Sequence, residues 1–328
     1  MDRIRHTRSM RARTQGLFQF FVNGRLSLLP YAPHVPNRFD LHSELAAGVQ
    51  DKDSAWTFIR RFAEAWMTPL GDGDGYSEEE LNAAEDRLGL KLPAALREAY
   101  MLFGRRDNLC RTMHRLESPA ELHVDEDAGL LVYHVENSGV WVCGIRLTDL
   151  GLEDPPVVHL PGCGANDHPW TGITWLDRLS SDCIEIVLTE ALWNVESRPY
   201  CTNGHVSNDD NPLSMHGELL AEDIAELDHR FTPLALPPYP VERWECTPGS
   251  RWYAGEDVIL CLDLFVDLGE HEYMRGPWDR PWSRAGLSIR GRTPEAINAM
   301  CESLPKEWFH WEWRQPWDPY PPKPQAPS

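Results

Sequence analysis

Two stretches place histidine and cysteine close enough in sequence to raise metal chemistry: His159, Cys163 and His168, and Cys201 with His205. Zinc takes three or four such ligands, usually in short paired spacings. Neither stretch contains a C-x-x-C pair or a standard spacing, and both lie in turn-rich sequence, so no metal and no cofactor is expected. Asp72-Gly73-Asp74-Gly75 looks like the start of a calcium loop. The pattern then fails, because Ser77 stands where that loop needs glycine and Ala83 where it needs a bidentate glutamate. A turn is the expectation. No G-x-S-x-G, H-E-x-x-H or phosphate-binding loop occurs. A triad can still assemble from distant positions, so a hydrolase stays as the remote alternative to a non-catalytic chain.

The carboxylates divide into two kinds. Glu85 lies between Leu81 and Leu88 on the apolar side of a helical pattern. A buried carboxylate needs partners, so Glu85 is expected to accept backbone N–H groups or to pair with Arg97. Asp72, Asp74, Asp125, Glu126, Asp127 and Glu136 fall in turns and a hairpin loop, where binding residues concentrate. They are the candidate partner contacts, an acidic rim for a basic protein. Trp141 is expected in the core, and the C-terminal cluster Trp308, Trp311, Trp313 and Trp317 is expected to close a core or cover an edge rather than to form an interface. The eight cysteines are spread singly, and Cys143, Cys261 and Cys301 sit in apolar runs, as buried free thiols do.

Charge narrows the partners. The chain has 51 acids against 31 bases, a net charge of -20. Such an excess repels phosphate backbones, which disfavours nucleic acid, and it speeds encounter with a basic partner. No apolar run is long enough to span a membrane. Arg3, Arg5, Arg8, Arg11 and Arg13 open the chain, and the apolar patch after them lacks the core and cleavage site of a secretory signal. A cytoplasmic protein is expected.

The elements that must position these residues follow from periodicity. Residues 1–50 read as an Arg-rich, largely irregular arm, 51–196 as an α+β unit and 197–217 as a turn-rich linker. Residues 218–315 read as a smaller C-terminal α+β unit and 316–328 as a Pro-rich tail. Trp56, Ile59, Phe62, Ala63 and Trp66 mark a helix over 53–67. Ser77 and Glu80 form a capping box, and Gly89 is a left-handed stop. Pro93 is placed at the first position of a second helix that carries Leu96, Ala99, Tyr100 and Phe103 and stops at Gly104. Leu130–Val135 and Gly139–Leu147 read as a hairpin, Asp154–Val158 as extended, and Ser181 as the cap of a further helix. In the last unit Glu218–Leu227 reads as helical, and Thr293-Pro294-Glu295 as a strong helix start.

From Ser77 to Gly104 the chain resembles the SUKH superfamily, the Smi/Knr-like proteins. The residues that carry the resemblance are Ala84-Glu85, Leu88-Gly89, Leu92-Pro93, Arg97, Tyr100 and Phe103-Gly104, the last where members often have Asn-Gly. Glu136-Asn137, Gly139-Val140-Trp141, Asp154-Pro155-Pro156-Val157 and the helix over 181–193 then follow in the family's order. Each motif alone is weak; order and spacing make the signal. The likeness covers about residues 53–195, under half the chain. It implies an α+β fold with helices packed on a mixed or antiparallel sheet. Bacterial members bind and neutralise secreted polymorphic toxins, often nucleases, and fungal relatives are adaptors in cell-wall signalling. The expectation is an immunity protein that binds a basic toxin domain, with an intracellular adaptor of the same fold as the alternative.

Overall fold

The computed structural model describes residues 20–22, 25–27, 39–137, 139, 141–161, 173–193, 214–237, 249–265 and 284–309. The chain divides into two units, residues 1–38 and 39–328. In the first, β1 (Phe20–Val22) and β2 (Arg25–Ser27) pair antiparallel. The arm therefore carries a short hairpin where little regular structure was expected. It also ends earlier than residue 50. Phe39, Leu41 and Leu45 are buried around α1 (Leu41–Glu44), which Asp40 caps, and the Phe39 ring packs on Phe58 and Phe62.

Next, α2 (Lys52–Trp66) follows the predicted spacing, with Trp56, Ile59, Phe62 and Ala63 on its buried side. Burying a side chain such as Phe62 contributes about 2–3 kcal/mol. In α3 (Glu78–Leu88), Ser77 and Glu80 exchange both bonds of the capping box. Gly89 ends that helix at φ 67°, a left-handed backbone that costs glycine nothing. Pro93 is the N-cap of α4 (Ala94–Phe103), one residue outside the helix, because its ψ of 151° is extended. The helix's early N–H at Ala95 donates instead to the Glu153 carbonyl. Gly75 is required by close approach: a β-carbon there would lie 1.7 Å from the Met101 carbonyl oxygen. The Asp-Gly-Asp-Gly stretch is thus a turn pressed against α4.

After α5 (Asp107–Cys110), a sheet forms from β3 (His114–Leu116), β4 (His123–Asp125), β5 (Leu130–Glu136), β6 (Trp141–Arg146), β7 (Val157–Pro161) and β8 (Ile173–Leu176). The order is β3-β5-β6-β7-β8, with β4 also on β5, and every pairing is antiparallel. The predicted hairpin is β5–β6. Its register shifts between Val132 and His134, so Tyr133 is an extra residue, and such a bulge re-aims side chains.

The helix expected from Ser181 begins earlier, as α6 (Leu179–Trp193). Ser181 is inside it and buried. The cap comes from far along the chain: Asp154 accepts from the Ser180 N–H at 2.9 Å and from its hydroxyl at 2.5 Å. The Leu179 N–H donates to the Pro155 carbonyl. Nearly every residue of α6 is buried, as for a helix enclosed on all sides; it touches α2, α4, α5, β3, β8 and β12 (Arg284–Gly291).

The C-terminal region opens on a strand that the sequence reading divided between the linker and a helix. β9 (Ser214–Leu220) precedes α7 (Ala221–Arg230). With β10 (Gly249–Gly255), β11 (Val258–Phe265) and β12 it forms an antiparallel sheet in the order β10-β11-β12-β9. Thr293 caps α8 (Pro294–Ser303) as predicted. Alternation along β10 and β11 gives the sheet two apolar faces. Trp252, Ala254, Ile259 and Cys261 join the core that holds α2 and α6, while Tyr253, Val258, Leu260 and Leu262 pack in a second core with Leu227, Ile297 and the buried Trp308. Cys143, Cys261 and Cys301 are buried free thiols. The tail 316–328, Trp311, Trp313, Trp317, Cys163, His168, Cys201 and His205 lie outside the described residues.

Candidate functional site

The corner between α3 and α4 is held by one carboxylate. Glu85 is buried and accepts from the Leu92 N–H at 3.1 Å, from Lys91 Nζ at 2.6 Å and from Arg97 at 2.8 Å. Burial pushes its carboxyl upward, but these three donors outweigh that and hold it below the ordinary range. Arg97 also reaches Asn82. Tyr100 donates its hydroxyl to the Glu117 carbonyl at 2.6 Å, which ties α4 to the sheet. Thus Glu85, Leu88, Gly89, Leu92, Pro93, Tyr100 and Gly104 build the corner, and Asp154, Pro156 and Val157 lead from the α6 cap into β7.

The candidate contacts lie in different places. Asp74 accepts from the Gly71 N–H and pairs with Arg106 at 3.0 Å, so it closes its own loop, while Asp72 is exposed. Asp125 accepts from the Ala128 N–H inside the β4–β5 turn; Glu126 and Asp127 are exposed there. Glu136 is half-buried at the far end of β5. That strand separates it from the turn by about 20 Å at ordinary strand rise, so these residues do not make one patch.

The densest polar grouping is one that sequence reasoning missed. Five rings cross the first sheet: His114, His134, Trp141, His159 and Trp175, on β3, β5, β6, β7 and β8, with neighbouring centroids 5.0–5.2 Å apart. Trp141 is buried, as expected, and stands edge-on to His114 and His134. Burial drives the His114 ring well below ordinary histidine basicity, and His134 adds to the effect. Above the ladder, Asp182 of α6 accepts from the Tyr133 hydroxyl at 2.7 Å and lies 3.1 Å from His134 Nδ1. The bulge explains how consecutive residues reach the same oxygen. His134 and Cys143 are directly opposed across β5 and β6. His134, Cys143 and Asp182 are all buried, and their ligand-capable atoms lie within 4.8 Å of one another. A histidine inside the otherwise apolar run 130–135 was the one local signal for this grouping.

Two more buried carboxylates extend from α6. Glu185 accepts from the Trp252 indole N–H at 2.5 Å, joining the helix to the second sheet. Glu190 accepts from the N–H groups of Thr112, Met113 and His114 at 2.7, 2.8 and 2.7 Å. Burial raises its carboxyl even so. The buried thiols Cys110 and Cys183 are pushed upward by burial, the opposite of what a nucleophile needs. A cleft of about 320 Å³ beside Trp252 and Pro233 includes Asp228 and Arg251. Asp228 pairs there with Arg251 at 3.0 Å and accepts from Tyr253 at 2.6 Å. Among the described residues, no helix is long and apolar enough to cross a membrane. Set against known proteins, the chain matches no family model, no curated protein and no solved structure.

Proposed function

We propose that this chain is a non-catalytic protein-binding module, an immunity protein that neutralises a basic toxin domain by direct contact. The observation that carries the reading is the surface of residues 71–86. That stretch has seven acids and no lysine or arginine. Glu85 is buried, Asp74 pairs with Arg106 and Glu80 with Arg105. Asp72, Glu78, Glu79 and Asp86 stay exposed. They surround a corner whose Smi/Knr-like residues are occupied with folding, so the acids beside it are left to meet a partner. Opposite charge steers such encounters and makes their rate fall with salt.

The test is co-expression with basic toxin domains cloned from whatever genes flank the one for this chain, followed by binding kinetics. Growth is rescued, and the association rate falls at least tenfold between low and physiological salt, an effect of the size electrostatic steering gives. The variant Asp72→Asn, Glu78→Gln, Glu79→Gln, Asp86→Asn loses most of that salt dependence. A complex indifferent to salt, or no rescue, would sink the reading. Capture of a resident signalling protein without rescue would favour the adaptor instead.

A further inference from the structure

We propose that His134, Cys143 and Asp182 form a buried site for one divalent cation of the zinc class, an ion that fastens α6 to the first sheet. The three residues are brought together by the fold alone, since the cysteine and the aspartate lie 9 and 48 positions from the histidine. Direct opposition across β5 and β6 sets the imidazole and the thiol on one face of the sheet. Helix α6 lowers Asp182 onto the same face.

The distances suit an ion. Donor atoms about 2.0–2.3 Å from a tetrahedral zinc lie about 3.3–3.6 Å from each other. His134 Nδ1 and Asp182 Oδ2 are 3.1 Å apart, and all three ligand atoms lie within 4.8 Å of one another. Closing on an ion asks only for movement of side-chain atoms. The ligand set fits as well: thiolate, imidazole and carboxylate together suit zinc and disfavour magnesium or calcium. Tyr133, donating to the Asp182 oxygen at 2.7 Å, is the kind of outer partner that orients a ligating carboxylate.

Charge separates this reading from a plain ion pair. All three residues are buried, where net charge is costly. One thiolate and one carboxylate neutralise a divalent ion. The competing arrangement is an imidazolium beside Asp182. It would leave a charged ring whose Nε2 is enclosed and, among the described residues, has no hydrogen-bond partner. A neutral ring ligating through Nδ1 leaves a less costly group there. This proposal is independent of the protein-binding reading, and either can fail without the other.

The test uses the full chain from zinc-supplied cells. Purified protein is expected to hold about one zinc per chain. Exchange for cobalt(II) is expected to give the near-ultraviolet charge-transfer band of a thiolate ligand. Cys143→Ser abolishes the band and lowers zinc content at least tenfold, while Cys110→Ser, at a buried thiol outside the group, keeps both. Should Cys143→Ser fail to fold, imidazole ¹⁵N spectra of the unaltered chain decide: His134 Nδ1 is expected to be metal-bound and proton-free. Protein from zinc-supplied cells that holds no zinc and takes up no cobalt would overturn the proposal. So would a band that survives Cys143→Ser, or a His134 ring that carries a proton on Nδ1.

Discussion

Glu85 and Glu190 are both buried glutamates, each accepting three hydrogen bonds, yet burial has opposite outcomes for them. Glu85 has two cations among its donors, one of them the 79%-exposed Lys91. Its carboxyl is held low. Glu190 has no cation among its donors in the described residues; the N–H groups of residues 112–114 bond to it, and its carboxyl is raised. Dipoles satisfy a carboxylate's geometry without matching its charge, so desolvation wins deep in the molecule, where Glu190 sits. Near the surface, cations reverse the balance.

Deleting the dipole-held carboxylate is expected to cost the most. Glu190→Ala orphans three backbone donors beside β3 and opens a hole under α6. Each unsatisfied buried donor costs about 1–3 kcal/mol, partly relieved by water, so a loss of about 3–5 kcal/mol is expected in urea unfolding. Glu85→Ala frees one backbone donor and two cations that can turn to solvent. Its expected loss is smaller, about 2 kcal/mol. If Glu85→Ala proved the more damaging, the corner and not α6 would be the keystone of the fold.

Acid titration separates the two glutamates by sign. Glu85 titrates below its ordinary 4.5 in the folded chain. Its contribution is therefore present above about pH 4.5 and is lost as pH falls through the lowered folded value. Glu190 titrates above 4.5 when folded, so the folded state keeps that proton more tightly, and its contribution declines as pH rises through the raised value. The stability gap between the natural chain and Glu85→Gln should widen as pH rises from about 3 to 5. The gap to Glu190→Gln should narrow as pH climbs above about 4.5. Unfolding midpoints across that range check both, and equal slopes would refute the contrast.

The two glutamates also mark what the sequence could disclose. The partners of Glu85 lie within twelve residues of it, at Lys91, Leu92 and Arg97, and the capping box and glycine stop around it are local grammar. The backbone and Arg97 bonds of that corner were anticipated, and the Lys91 bond was not. The α6 carboxylates meet partners 48 to 78 positions away, set by strand register, a bulge and an enclosed helix that no short window displays. The same reason hid the true cap of α6. Ser181 offered a plausible local start, but Asp154 supplies the bonds from another loop. β9 was missed because Gly217 and Glu218 interrupt its apolar run, and because Leu220, its last residue, falls in helical spacing with Ile224 and Leu227 of α7. The α+β class was legible, because helical and strand periods are local. The juxtaposition of His134, Cys143 and Asp182 was not.

The smallest expected effect tests which cation at the corner matters. Lys91 approaches Glu85 closely, at 2.6 Å, but its side chain is 79% exposed, against 22% for Arg97. An exposed ammonium is well solvated without its partner and screened by salt, so its pairing returns little. Arg97 is planar, half-enclosed and bonded to both Glu85 and Asn82, and its removal would leave Glu85 with a mismatched neighbour. Lys91→Ala is therefore expected to change stability by no more than about 0.5 kcal/mol, and Arg97→Met by clearly more. Raising salt should erase the Lys91 effect first. A Lys91 variant as damaging as Glu85→Ala would mean that the short contact, and not the enclosed guanidinium, keeps the carboxylate charged.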